Sequence, residues 1–140
     1  MTPIRIGLIG TGRIGQVHAE SITGLPQTTL SRVADLNEES ARATAERFGA
    51  SVSSAESIFT QPDVDAVLVA SPTPPHLDLM VQAVQAGKPV LCEKPIDLDI
   101  QRVDEVRPLI QAAETPVAIG FNRRFDPHFQ AFYRRVFSGV

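Results

Sequence analysis

The sequence predicts an α/β fold in which helices cover both faces of a doubly wound, mostly parallel sheet. Two observations support this prediction. Short, continuous apolar runs, typical of strands buried on both faces, alternate along the chain with segments of helical periodicity. The first run leads directly into a glycine-rich turn at Gly10–Gly15. Because crossovers between parallel strands are right-handed, we expect six strands in the order 3-2-1-4-5-6.

Composition limits the classes of protein to which the chain can belong. Its 140 residues suffice for one domain with a real core, and its 43% apolar and 21% charged residues are ordinary for a soluble globular protein. The net charge of −3 gives no reason to expect nucleic acid or an anionic membrane as a partner. No signal peptide or membrane-spanning run is predicted, and the single cysteine, Cys92, excludes an internal disulfide. We therefore expect a cytoplasmic protein.

The first strand, predicted over Ile4–Ile9, runs into Gly10-Thr11-Gly12-Arg13-Ile14-Gly15, a G-x-G-x-x-G fingerprint. Gly10 allows the tight turn, Gly12 lets the backbone approach a pyrophosphate, and Gly15 lets the following helix pack against the strand. The unpaired N–H groups of that helix's first turn form an anion site. Strand, fingerprint and helix in this order predict dinucleotide binding rather than a merely structural turn. We expect residues 1–140 to form one such dinucleotide-binding domain.

The second strand, predicted over Leu30–Ala34, ends at Asp35, twenty residues after the fingerprint. A carboxylate at this position accepts hydrogen bonds from the adenosine ribose and repels a 2′-phosphate, so NAD is favoured over NADP. Leu36 follows where a phosphate site would more often place an arginine. The alternative is that Asp35 is only a turn residue before the next helix. That helix is predicted to begin after an N-cap at Asn37 and to end at Gly49.

A short third strand is predicted at Val52, followed by a capping box at Ser53–Glu56 that opens a small helix. The fourth strand, Ala66–Ala70, ends in the loop Ser71-Pro72-Thr73-Pro74-Pro75-His76. Ligands of open α/β sheets bind where the strand order reverses, which we expect at this strand. His76 could contact the cofactor or merely occupy the first turn of the next helix. Neither this residue nor any other is predicted to bind a metal.

The strand Pro89–Cys92 ends in Glu93-Lys94-Pro95. A lysine facing the same crevice could act in proton transfer if desolvation lowers its pKa, although most lysines are solvated surface groups. Cys92 is predicted to be a small core residue rather than a nucleophile. A helix predicted over residues 100–113 contains Pro108 and is expected to bend or restart near Asp104–Arg107.

The last predicted helix spans Asp126–Val140, with Asp126 as its N-cap and Pro127 at its first position. Its apolar residues recur at helical spacing and form a broad aromatic stripe. Stripes of this kind mark interaction sites, so we expect a homo-oligomer with self-association through Asp126–Val140. The residues of the stripe are Phe129, Phe132, Tyr133, Val136 and Phe137.

These motifs together resemble the glucose–fructose oxidoreductase/inositol dehydrogenase/MocA family. The resemblance covers essentially all 140 residues and rests on the fingerprint, Val33–Asp35, Ser71–His76 and, most specifically, Glu93–Pro95. Within that family, Gly120–Pro127 is similar to a segment of inositol 2-dehydrogenases. The resemblance implies the N-terminal NAD(P)-binding domain of an enzyme that oxidises a secondary hydroxyl of a cyclic polyol or sugar, with hydride passing to nicotinamide.

The resemblance also implies roles for particular residues. Lys94 would be catalytic, in the proton relay between the substrate hydroxyl and the nicotinamide ribose, while Glu93 would lie by the nicotinamide before an often cis peptide to Pro95. Asn122 and Arg123 would lie beside the nicotinamide and substrate. The expected cofactor-binding residues are Gly10, Thr11, Gly12, Arg13, Ile14, Gly15, Asp35, Ser71, Pro72, Thr73, His76, Glu93 and Lys94.

The sequence departs from the family pattern in two respects. The first is Pro108 inside the helix predicted over residues 100–113, and the second is larger. Family members carry a C-terminal α/β domain for the substrate, with an Asp-x-x-x-His motif that these 140 residues lack, since His18, His76 and His128 do not match it. We therefore expect the 140 residues alone to bind NAD weakly at best and to show no dehydrogenase turnover. The alternative function is a non-catalytic NAD-binding module that acts as a sensor or assembly partner.

Overall fold

The computed structural model describes residues 2–139. These residues form a six-stranded parallel sheet with the order β3-β2-β1-β4-β5-β6, which confirms the predicted fold class and topology. The strand order reverses between β1 and β4, which are hydrogen-bonded neighbours. The strands are β1 (Ile4–Ile9), β2 (Thr28–Ala34), β3 (Ser51–Val52), β4 (Ala66–Val69), β5 (Val90–Cys92) and β6 (Val117–Ile119).

Helices follow the strands, and several of their ends lie at residues that the sequence predicted. The Asn37 side chain accepts a hydrogen bond from the Ser40 N–H at 3.1 Å, and Gly49 ends the same helix with φ +70°. The predicted capping box at Ser53–Glu56 is displaced by one residue, because Ser54 caps the helix by accepting from the Ser57 N–H. The helices are α1 (Arg13–Gly24), α2 (Glu38–Phe48), α3 (Ala55–Thr60), α4 (His76–Gln85), α5 (Ile100–Ala112) and α6 (Pro127–Ser138), with a 3₁₀ turn at Asn122–Arg124.

Each face of the sheet carries its own hydrophobic cluster. On one face, α1 and α2 pack on β1 and β2 through residues that include Ala19, Leu8 and Val33. On the other face, α3 and α4 pack on β4 and β5 through residues that include Ile58 and Leu77. This two-sided burial explains why the strands are continuous apolar runs without alternation.

Helix α5 runs through Pro108 as one α-helix, so the predicted restart near Asp104–Arg107 is excluded. Proline removes one N–H donor from the helix ladder but does not end the helix here. The apolar residues Val103, Val106 and Ile110 of α5 are only half-buried, and no residue of this helix is fully buried. The helix therefore lies at the periphery of the core, where an imperfect hydrogen-bond ladder still has access to water.

Candidate cofactor site

A crevice of about 1070 Å³ lies beyond the carboxyl ends of β1 and β4, at the point where the strand order reverses. In open α/β sheets this is the place where ligands bind. Most of the residues predicted for the cofactor and substrate line this crevice. They are Gly10, Gly12, Arg13, Ile14, Asp35, Ser71, Pro72, Thr73, His76, Glu93, Lys94, Asn122 and Arg123, joined by Asn37, Ser40, Ala70, Phe121 and Arg124.

The three fingerprint glycines have different surroundings, and each supports its predicted role. Gly10 has φ +97°, and a Cβ on it would lie 2.4 Å from the backbone nitrogen of Ser71. A Cβ on Gly15 would lie 2.0 Å from the carbonyl oxygen of Gly10, so Gly15 lets α1 pack directly against the turn. A Cβ on Gly12 would meet nothing within 4 Å, because this residue faces the open crevice.

Helix α1 begins directly after Gly12, which is its N-cap and offers no side-chain acceptor to the first amides. Gly12, Arg13 and Ile14 all line the crevice. The unpaired N–H groups and the positive end of the helix dipole therefore meet the crevice at this point, as an anion site requires.

Thr11 lies outside the crevice lining and is 2% exposed. Its backbone N–H donates to Asp35 Oδ2 at 2.6 Å and its hydroxyl donates to the same oxygen at 2.9 Å. The Thr11 hydroxyl also lies 2.7 Å from that of Ser40. Thr11 thus ties the fingerprint turn to the end of β2 and orients the carboxylate that faces the crevice.

The Asp35 carboxylate is held in its charged form. Partial burial raises its pKa, but hydrogen bonds from Thr11 and from the N–H groups of Asn37 and Leu36 outweigh this effect and hold the pKa below its ordinary value. The stability that the charged form contributes is lost as the pH falls through this lowered pKa. Leu36 is fully exposed and supplies no positive charge beside the carboxylate.

At the other end of the crevice, Glu93 and Lys94 follow β5, and the Lys94–Pro95 peptide is cis. Glu93 Oε1 lies 2.8 Å from His18 Nε2, on α1, and its other oxygen accepts the Lys94 N–H at 3.2 Å. Sequence reasoning did not identify His18 as part of this site. Its position four residues after Ile14, on the helix that leaves the crevice, is the one signal in the sequence that could have suggested it.

His76 occupies the first turn of α4 and is 2% exposed, although it borders the crevice. Its Nε2 lies 2.7 Å from the Ser71 carbonyl oxygen and its Nδ1 lies 2.8 Å from the Pro95 carbonyl oxygen. Because carbonyl oxygens only accept hydrogen bonds, a ring nitrogen that carries a proton donates to the carbonyl that it faces. The imidazole thus connects the loops that follow β4 and β5.

Asn122 and Arg123 lie on the exposed 3₁₀ turn at the crevice rim. The Arg123 guanidinium lies over the Phe129 ring at 4.6 Å and is 3.5 Å from the Asp126 carboxylate. Asp126 caps α6 by accepting from the N–H groups of His128 and Phe129, which confirms its predicted role as an N-cap.

Cys92 is fully buried, and burial raises the pKa of its thiol to about 12, with the neighbouring Glu93 charge adding to the shift. A thiol with this pKa is not a nucleophile near neutral pH. The prediction that Cys92 is a small core residue is therefore confirmed.

The crevice fits a dinucleotide on three grounds. Gly12 leaves room where a pyrophosphate must approach the backbone, the N-terminus of α1 is free of side-chain caps, and a charged carboxylate stands at the end of β2. Among residues 2–139 no helix is long and apolar enough to cross a membrane. The same residues include no group of three or more His, Cys, Asp or Glu side chains placed to hold a metal ion.

Comparison with known proteins agrees with this geometry. Residues 4–121 match the GFO_IDH_MocA family, described as an oxidoreductase family with an NAD-binding Rossmann fold. The chain belongs to this family.

Its relatives include the inositol 2-dehydrogenase of Rhizobium meliloti, 41% identical over 97% of the chain. The solved structure of a myo-inositol dehydrogenase from Corynebacterium glutamicum is 44% identical, matches 97% of the chain and superposes with a TM-score of 0.89. The scyllo-inositol dehydrogenase of Lactobacillus casei, solved with bound NAD(H) and scyllo-inositol, is 30% identical, matches 99% of the chain and superposes with a TM-score of 0.91. The chain spans about 41% of the length of the first two proteins and 42% of the third.

Proposed function

We propose that this chain is the N-terminal, NAD-binding part of a dehydrogenase that oxidises a secondary hydroxyl of a cyclic polyol such as myo-inositol. The observation that carries the proposal is the crevice, which places the fingerprint turn and Asp35 at one end and Glu93-Lys94 at the other. The inositol dehydrogenases among its relatives support the choice of substrate class.

Different residues of the crevice bind different parts of NAD. The first amides of α1 bind the pyrophosphate, and the Asp35 carboxylate accepts hydrogen bonds from the adenosine ribose hydroxyls. When bound, NAD supplies the acceptor for hydride from the substrate carbon. Ser71, Pro72, Thr73 and Glu93 form the wall along which the nicotinamide half is oriented.

Lys94 is the residue of this chain that we propose to be catalytic. Lys94 is exposed and lines the crevice, and within residues 2–139 it takes part in no ion pair. In the proposed reaction, Lys94 hydrogen-bonds the substrate hydroxyl and relays its proton as the carbinol carbon is oxidised. Asn122 and Arg123, at the rim, would bind the polyol.

The alternative is a non-catalytic NAD-binding module, and an activity assay separates the two. The protein encoded by the longest open reading frame that contains this chain should reduce NAD in the presence of myo-inositol or scyllo-inositol. Its K94A variant should lose at least about a hundredfold in kcat, the effect expected for loss of a general acid–base group. NAD binding without turnover would favour the module. The 140 residues alone should show no turnover, because the site would be open to water.

We further propose that α6 is a contact surface between copies of this chain. The five residues of its apolar stripe are all exposed, from 48% for Phe129 to 73% for Phe137. When aromatic rings of this size pack against another apolar surface, a large area of apolar surface is removed from unfavourable contact with water. The surface fits a second α6 or an apolar hollow of about 400 Å³, which is lined by β4, β5 and β6 together with one side of α1.

A further inference from the structure

The Glu93-Lys94-Pro95 segment is held on both sides of Lys94 by a histidine from a different helix. His18, on α1, contacts the Glu93 side chain, and His76, on α4, contacts the Pro95 carbonyl. We propose that these two histidines are positioning residues that fix the Lys94 backbone and thereby aim its ammonium into the crevice. The assignment rests on the proposed role of Lys94.

The first contact is well defined and partly shielded from water. His18 Nε2 and Glu93 Oε1 lie 2.8 Å apart, and their side chains are only 21% and 17% exposed. The carboxylate has a prepared position, because a Cβ on Gly120 would lie 3.1 Å from its Cδ, Oε1 and Oε2 atoms. From there Oε2 reaches the Lys94 N–H at 3.2 Å. One carboxylate therefore links α1, the end of β6 and the backbone of Lys94.

The second contact is more deeply buried. His76 is 2% exposed, and its two ring nitrogens contact Pro95 O at 2.8 Å and Ser71 O at 2.7 Å. The position of Pro95 is thereby fixed relative to the loop after β4. Strand β4 also holds Glu93, whose N–H donates a hydrogen bond to Val69 O at 2.9 Å. Lys94 thus lies between two anchored neighbours.

Lys94 needs such anchors because nothing comparable holds its own side chain. It is exposed, and its ammonium donates no hydrogen bond to a group among residues 2–139. Lys88 makes a useful contrast, since its ammonium donates to the carbonyl oxygens of Gln61 and Val64 at 3.1 and 2.5 Å. The direction of a long, unpartnered side chain depends on the backbone from which it starts.

The experiment uses the fact that Lys88 and Lys94 are the only lysines in the sequence. Reductive methylation with ¹³C-formaldehyde keeps the positive charge and gives each lysine a separate methyl resonance, which a K94R variant assigns. The variants are H18A, H18Q and H76Q, and the matched control is H128Q, which changes an exposed histidine on α6. Lys88 serves as the internal reference for an intact fold.

We expect H18A and H76Q to shift the Lys94 resonance while the Lys88 resonance stays within the range of H128Q. H18A should keep the melting temperature of H128Q, whereas H76Q should lower it, because two buried carbonyl oxygens lose their imidazole partner. H18Q, whose amide can still donate to Glu93, should restore part of the wild-type shift. An unmoved Lys94 resonance in folded H18A would overturn the proposal. If H18A does not fold, E93Q tests the same contact, and an unmoved Lys94 resonance in that variant has the same meaning.

Addition of NADH separates this inference from the proposed function. A wild-type Lys94 resonance that NADH does not move would contradict the proposed function, whereas the comparison of ligand-free variants would stand unaffected. If NADH does move it, we expect H18A to bind NADH about threefold to tenfold more weakly, the loss typical of one hydrogen bond. Equal affinity of H18A and H128Q would count against a role of His18 in the site.

Discussion

At the scale of single residues, the site depends on carboxylates whose partners lie far away in the sequence. Asp35 is oriented by Thr11, and Glu93 is oriented by His18 over Gly120. In both cases the partner belongs to the fingerprint turn or to the helix that follows it. One end of the crevice therefore depends on the fingerprint turn and the other on α1, which follows directly.

Replacement of Asp35 tests the specificity of the adenosine end. The chain should bind NAD more tightly than NADP, because the charged carboxylate accepts from the ribose and repels a 2′-phosphate. D35S should weaken NAD binding by about 1.5–3 kcal/mol, the range for a hydrogen bond to a charged group, and should narrow the gap to NADP. Calorimetric titration of both nucleotides measures this, with E39S as a control at an exposed carboxylate of α2. Tighter binding of NADP than NAD by the wild type would contradict the assignment.

The single cysteine gives a second prediction at this scale. Because Cys92 is fully buried and its pKa is about 12, the native protein should react very slowly with a thiol reagent such as DTNB at pH 8. The same protein in guanidinium should react rapidly and with one equivalent, since the sequence has no other thiol. Fast stoichiometric labelling of the folded protein would show that β5 is more open than its packing indicates.

The residue scale also shows how far sequence can predict a site. The fingerprint, Asp35, the loop after β4 and Lys94 were predicted because each has a local signature at the end of a strand, and the structure brings them to one crevice. The His18–Glu93 contact joins residues 75 positions apart and has no such signature. Whether His18 reaches β5 depends on the packing angle of α1, which a sequence pattern does not determine.

At the scale of elements, the turn between β1 and α1 combines a packing requirement with a binding requirement. Gly15 meets the Gly10 carbonyl, whereas Gly12 faces open space with φ −67° and ψ −168°, which other residues can adopt. The helix ends at Asn37, Gly49 and Asp126 were predictable, because caps are short-range features. The course of helix α5 was less predictable, because the helix continues through Pro108, where the sequence predicted a bend or a restart.

Two alanine variants separate these requirements. G15A should lower the free energy of unfolding by about 1–3 kcal/mol or more, because the new Cβ overlaps backbone that must shift. G12A should stay within about 0.5 kcal/mol of the wild type, as expected for an open position. Urea denaturation followed by circular dichroism gives both values. If G12A were as destabilised as G15A, the finding that a Cβ on Gly12 meets only open space would be wrong.

At the scale of the whole molecule, the reversal of strand order between β1 and β4 places the crevice, and α6 extends an apolar stripe outside the core. The topology was predictable because right-handed crossovers leave few alternatives. The surface that packs against α6 was not predictable, because an amphipathic pattern identifies an apolar face without identifying its partner.

Self-association through α6 is the corresponding prediction. Multi-angle light scattering should detect oligomers of the wild-type chain, and the double variant F132S/F137S should shift the distribution to monomers by removing two exposed rings from the stripe. R135S, on the same helix, is the control and should leave the oligomers in place. A monomeric wild type over the whole concentration range would contradict the proposal.

If the crevice binds NAD, the pyrophosphate lies in the open space beside Gly12. Calorimetric titration of NAD into the wild type and G12A tests this binding most directly. The wild type should bind one NAD per chain weakly, with a Kd on the order of 1 mM, about −4 kcal/mol. G12A, with an unchanged melting temperature, should bind at least tenfold more weakly, because its new methyl occupies the space that the pyrophosphate requires. Equal affinities in the two folded proteins, or no saturable binding by the wild type, would contradict the account.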